Sequence, residues 1–179
     1  MKTIVLYESS SGTTKKYAED IAARVNAEVM PLKKFKWRKL ANYDTIVFGG
    51  WVLNAQIQGL NDFLSHYEEM EEQKKNVLLF SSGMSYTSPE GRKELIRSNV
   101  LDLYHIRYYQ LRGSFSYSKL KWKYRMVMSL MIAKVTTDKN STPEMVAMYK
   151  SFKTTAIEYY DQEKVDKIVN VINTLSLQN

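Results

Sequence analysis

Residues 4–14 constrain the fold more than any other stretch. Ile-Val-Leu-Tyr-Glu-Ser-Ser-Ser-Gly-Thr-Thr joins a short apolar run to a loop of small hydroxyl residues, and helical spacing begins at Lys15. The apolar run reads as a strand covered on both faces. The loop would sit at a helix N-terminus, where free N–H groups and the helix dipole favour an anion. Ser9, Ser10, Ser11, Thr13 and Thr14 bring hydroxyls, and Gly12 lets the backbone come close to a ligand. The loop lacks Gly-x-x-x-x-Gly-Lys-Ser/Thr and Gly-x-Gly-x-x-Gly, so it is neither a triphosphate loop nor the dinucleotide fingerprint. The plainer reading is a polar strand-to-helix turn that only caps the helix.

The same alternation continues along the chain. Apolar runs at Thr3–Tyr7, Ala27–Pro31, Asp44–Phe48, Asn76–Phe80 and His105–Leu111 read as strands. Helical spacing joins Tyr17, Ala18, Ile21, Ala22 and Val25, then Leu60, Phe63, Leu64 and Tyr67. Pro89 opens a further helix through Leu95, Ile96 and Val100, and Asp161 reads as the N-cap of a last one through Val165 and Ile172. Strands separated by helices imply parallel βαβ units and a doubly wound α/β sheet, in which ligands bind beyond the carboxyl ends of the strands. Three small-residue loops fall at such ends: Ser9–Thr14, Gly49–Asn54 and Ser81–Ser88. At 179 residues and 44% hydrophobic, the chain reads as one globular domain.

Several classes drop out. With no cysteine there is no disulfide, thiol nucleophile or thiolate metal site, which fits a reducing cytoplasm. No apolar run approaches the roughly 18–20 residues that cross a bilayer, and Met1 leads straight into a strand rather than a signal peptide. His66 and His105 belong to no metal-spaced set and read as structural, and Glu68–Glu72 reads as an acidic helix end or loop. The net charge of +7 favours anionic partners, but no nucleic-acid motif is present.

The loop Ser9-Ser10-Ser11-Gly12-Thr13-Thr14 fits throughout the Thr/Ser-x-Thr/Ser-Gly-x-Thr phosphate loop of the flavodoxin superfamily, which the chain resembles over residues 1 to about 111. That resemblance implies a flavodoxin-like, five-stranded parallel sheet in the order 2-1-3-4-5, and non-covalent FMN. The phosphate would lie on Ser9, Ser10, Ser11, Gly12, Thr13 and Thr14. The isoalloxazine would lie between Gly50, Trp51, Val52, Leu53 and Asn54 on one side and Ser82, Gly83, Met84 and Tyr86 on the other. Ser82, Gly83 and Met84 would offer backbone N–H groups, and Trp51 is either a stacking face or a core or lid tryptophan.

A narrower likeness rests on Tyr43–Gly49, on Arg112-Gly113-Ser114-Phe115, on Trp122-Lys123-Tyr124-Arg125 with Met126–Lys134, and on the tail Ile157–Ile172. These resemble the menaquinone-dependent protoporphyrinogen IX dehydrogenases. The likeness implies FMN-dependent electron transfer to a quinone, with the cofactor carrying the chemistry. The other readings are a flavodoxin that shuttles electrons between protein partners, and a flavin-free protein-binding module.

The basic, aromatic insertion near residues 112–152 is the unusual part. Read as a helix over Ser118–Val135, it puts Leu120, Tyr124, Val127, Met131 and Val135 on one stripe. Lys119, Lys121, Lys123 and Arg125 gather at its start, and no charge follows until Lys134. Such a helix would rest on an anionic membrane surface, with Trp122 and Tyr124 at the boundary and the protein peripheral to the inner face. Alternatively it docks on a partner, closes over the flavin, or packs on its own sheet.

Overall fold

The computed structural model describes residues 1–83, 89–114, 116–156 and 158–177. The first strand, β1 (Thr3–Glu8), buries Ile4, Val5 and Leu6 completely. It leads through the hydroxyl loop into α1 (Thr13–Arg24), then β2 (Glu28–Pro31) and β3 (Thr45–Leu53). A two-residue β4 (Gln56–Ile57), the short helices α2 (Leu60–Leu64) and α3 (Tyr67–Glu72), and β5 (Asn76–Gly83) follow. The rest is α4 (Pro89–Ser98), β6 (Arg107–Arg112), α5 (Trp122–Thr137), α6 (Pro143–Ser151) and α7 (Gln162–Leu177).

Five strands form the parallel sheet in the order β2-β1-β3-β5-β6, which is the expected 2-1-3-4-5 once β4 is counted. The addition is β4, which folds back antiparallel on the end of β3, pairing Val52 with Ile57. Gly50–Leu53 is therefore strand, not the loop the paired glycines suggested. The helix expected from Leu60 to Tyr67 is two short helices broken at Ser65 and His66, and Glu68–Glu72 lies within α3.

Alternate residues of each inner strand enter opposite layers, as the period of two requires. Ile4, Leu6, Ile46, Phe48 and Leu79 join Leu60, Phe63 and Met70 on one face. Val5, Val47, Leu78, Phe80 and Leu111 join Tyr17 and Ile21 of α1 and Val165 and Ile168 of α7 on the other. Continuous apolar strands thus reflect a sheet covered on both faces.

Between β6 and α7 the chain leaves the sheet and returns to nearly the same point. Tyr17 donates its hydroxyl to the Arg112 carbonyl at 2.6 Å and accepts from the Asp161 N–H at 2.7 Å. Ser114 donates to the Tyr159 carbonyl at 2.8 Å and accepts from the Tyr159 N–H at 2.9 Å. The excursion between these clasps holds α5 and α6 and a small core of its own, Leu120, Met128, Ile132 and Phe152. Asp161 caps α7 as expected, accepting from the Lys164 N–H at 3.4 Å.

Burial pushes the Tyr17 phenol up to about 12. Tyr43 also rises to about 12, through burial and then the Glu28 carboxylate that its hydroxyl contacts. Tyr160 rises through burial and the Asp20 carboxylate. In each case the folded state favours the neutral phenol. Stability should hold up to pH ~10, where unfolded tyrosines begin to ionise, and fall from there to pH ~12. Tyr17→Phe should cost about 1–2 kcal/mol by stripping partners from two backbone groups, and should make that alkaline loss shallower. Urea midpoints at pH 7, 9 and 11 check both; an unchanged alkaline slope in the variant would exclude Tyr17 as a source.

Candidate functional site

The hydroxyl loop is held by bonds within itself and by bonds to Ser82 and Ser114. Gly12 is the N-cap of α1 at φ 96°, a left-handed value that glycine adopts without strain. Its N–H donates to Ser9 Oγ at 3.1 Å, and Thr13 Oγ1 donates to the Ser114 carbonyl at 3.1 Å. Ser11 Oγ lies 3.5 Å from Thr13 Oγ1. Thr14 is buried and shares a 2.8 Å hydrogen bond with Ser82 Oγ, which ties the start of α1 to the end of β5. The loop and the β5 end are thereby held in fixed relation. Lys15 turns to Glu19 at 3.5 Å, and Lys16 lies over the Tyr160 ring, so both face away along α1.

A cavity of about 370 Å³ opens beside this loop, at the carboxyl ends of the strands. Ser11, Thr13 and Thr14 form one wall, and Trp51, Val52, Leu53, Asn54 and Ala55 form another. Ser82, Gly83 and Gln110 lie on its floor, with Glu94 and Leu95 of α4 at one side. Overhead are Leu120, Tyr124, Met128, Met131, Tyr149 and Phe152. The three segments singled out from the sequence thus meet at one place. Ser9, Ser10, Gly12 and Gly50 stand behind the lining, and Met84 and Tyr86 lie outside the described residues.

The insertion forms the cavity's roof. Tyr124 packs edge-on against Trp51, with ring centres 4.6 Å apart. The side of α5 turned inward carries Tyr124, Met128, Met131 and Ile132, whereas Val127, on the predicted stripe with Tyr124 and Met131, is 37% exposed. A 3-10 turn occupies Tyr117–Lys119, so α5 starts at Trp122, later than the expected Ser118.

Three polar atoms here are buried without a hydrogen-bond partner: Ser10 Oγ, Trp51 Nε1 and Gln110 Oε1. Such groups are costly unless something else satisfies them. Trp51 and Gln110 both line the cavity. Close backbone approach marks the same place, since a Cβ on Gly113 would stand 3.3 Å from the Gly83 nitrogen and 3.5 Å from Thr13 Cγ2.

Ala55, Gly91, Glu94 and Gln110 of the lining escaped the sequence reading, as did Asn99, which stands outside the lining and supports it. Gln110 left a faint signal: a polar side chain between Tyr109 and Leu111 in β6, where it is 6% exposed. Asn99 left none. Its amide donates to the Ala55 and Leu95 carbonyls at 2.8 Å and accepts from the Ile57 N–H at 2.8 Å, pinning the β3–β4 hairpin to α4. That hairpin turns through Asn54 and Ala55 at φ 50° and 58°, the paired left-handed geometry of a tight two-residue turn.

The sequence profile of the flavodoxin domain matches residues 4–143. The chain belongs to the flavodoxin domain family. Among curated proteins no match was found. Solved structures similar to this flavodoxin-domain chain include oxidised Flavodoxin 2 from Bacillus cereus, 15% identical, covering 85% of this chain and 97% of that one at a TM-score of 0.45. A flavoprotein from Lactobacillus acidophilus NCFM, solved in complex with FMN, is 18% identical and covers 62% of this chain and 91% of its own at 0.43. A flavodoxin from the domain Archaea is 21% identical, covering 63% and 83% at 0.42. In this flavodoxin-domain chain the family match takes in the sheet, the hydroxyl loop and α5, while α7 lies beyond it.

Proposed function

We propose that this protein binds FMN in the cavity and passes electrons through it, as a quinone-linked oxidoreductase of the protoporphyrinogen dehydrogenase type. One observation carries the reading: the hydroxyl loop and the ends of β3 and β5 converge on one cavity of about 370 Å³, whose remaining side is lined by the apolar insertion. That volume falls in the range of small-molecule and cofactor sites.

The residues present suit the group. Ser9, Ser11, Gly12 and Thr13 stand at the N-terminus of α1, where hydroxyls, backbone N–H groups and the helix dipole favour a phosphate. Trp51 Nε1–H and Gln110 Oε1 offer an unspent donor and an unspent acceptor to a planar ring bearing carbonyl and N–H groups. When bound, FMN supplies one- and two-electron transfer. The chain's own part is to hold and to exclude. The Thr14–Ser82 bond fixes the hydroxyl loop against β5, Trp51 and Tyr124 line the cavity in edge-on contact, and the apolar side chains of the insertion add to its lining. A lining that includes Leu120, Met128, Met131 and Phe152 suits a small apolar electron partner.

An absorbance spectrum of the purified protein, with the extracted flavin identified, tests the first half. A colourless protein that takes up no added FMN would sink the flavin reading and leave a protein-binding module. Anaerobic reduction by protoporphyrinogen, followed by reoxidation by menaquinone, tests the second half. A flavin that binds but turns over with neither would mark an electron carrier.

A further inference from the structure

We propose that the outer face of α5 and α6 docks on an anionic lipid surface, so that the roof of the cavity is also the membrane-facing side of the protein. The two helices pack on each other and share a core with Leu120. Their inner side lines the cavity, and their outer side carries exposed apolar residues. Trp122 is 71% exposed, Leu130 65%, Met126 55% and Met148 49%. Trp122, Met126 and Leu130 follow at four-residue steps and so share one face of α5. Apolar surface of this kind, gathered on one element, marks an interaction site.

Charge selects the occupant. Lys119, Lys121, Lys123 and Arg125 are exposed where α5 begins. Asp138 and Glu144 are the only acids between residues 113 and 156. A second copy of the chain packed by the same face would set these cations against themselves. An acidic protein would answer the cations but leave the tryptophan, methionine and leucine row unexplained. Anionic headgroups above an acyl boundary answer both, because lysines reach the headgroups while the apolar row sinks below them. No described helix is long and apolar enough to cross a membrane, so α5 would lie in the interface plane. The docking stands on this face alone. That an apolar electron partner enters the cavity from the bilayer, under the roof, rests on the function proposed above.

Sedimentation with phosphatidylcholine vesicles, with and without phosphatidylglycerol, tests the docking, and is done without added FMN so that the flavin reading plays no part. Wild-type protein should pellet with the anionic vesicles and not with the neutral ones. K119S/K121S/K123S/R125S and W122S/M126S/L130S should each weaken that binding about ten-fold or more. All seven positions are exposed, so both variants should keep the wild-type circular dichroism spectrum. Wild-type protein that stays in solution, or either variant binding as tightly as wild type, overturns the proposal. So does self-association abolished by the same substitutions without vesicle binding. For the entry route, reoxidation of the FMN-loaded protein by menaquinone in anionic vesicles should slow about ten-fold in the K119S/K121S/K123S/R125S variant, while reoxidation by water-soluble menadione stays unchanged. Equal slowing with both acceptors would overturn that route and leave the docking standing.

Discussion

Gly49→Ala should lower the stability of the chain by roughly 2–3 kcal/mol, because it overpacks the centre of the sheet. Gly49 sits in β3 between β1 and β5, level with Tyr7 on one side and Phe80 on the other. A Cβ there would overlap the tip of the Phe80 ring, with Cε1 at 2.6 Å and Cζ closer still. Phe80 has nowhere to retreat: it is fully buried among Tyr17, Leu111 and Val165. Gly49 is therefore absent of side chain for reasons of space, and the ring of its neighbour fills the gap. Urea unfolding measures the effect, and a wild-type midpoint would refute it. Gly49→Ala combined with Phe80→Leu should recover part of the loss, since contacting residues couple.

The second large effect falls on ligand binding. S9A/S11A/T13A should weaken FMN affinity about 100-fold or more. Hydrogen bonds to a charged group contribute ~1.5–3 kcal/mol each, so losing two of three already reaches that factor. Ser9, Ser11 and Thr13 are half-buried and their own contacts are local apart from Thr13 to Ser114, so the fold should survive. Thr14 is left in place because its hydroxyl serves Ser82. Quenching of FMN fluorescence on titration gives the affinity. A change below about three-fold, from wild type to variant, would remove the loop as the phosphate site.

The sheet was legible because its inner strands β1, β3 and β5 carry continuous apolar runs, as a sheet covered on both sides requires. The hydroxyl loop was legible because residue type, spacing and place after a strand agreed. Gly49 and Gly50 misled: the sequence made them a strand end, whereas β4 pairs back on Val52 and Leu53 and keeps them extended. Nothing local announces that pairing, which Asn99 secures from 42 residues away. The direction of the α5 stripe was not legible: Tyr124 and Met131 turn to the cavity, while Val127 of the same stripe is 37% exposed. This helix is apolar around much of its girth, and it packs on α6 and the cavity rim rather than on a broad sheet, so periodicity alone leaves its rotation open.

The clasps at Tyr17 and Ser114 carry one further consequence. Loop-closure entropy grows slowly with length, and its cost falls on the two ends that must be brought together. Here both ends are bound to one phenolic oxygen and, a step outward, to one serine hydroxyl. The helices between them own a separate small core. The roof is therefore an exchangeable cassette on a closed stem, and a chain with a short turn grafted between Ser114 and Tyr159 keeps the sheet's connectivity while leaving its ligand edge bare.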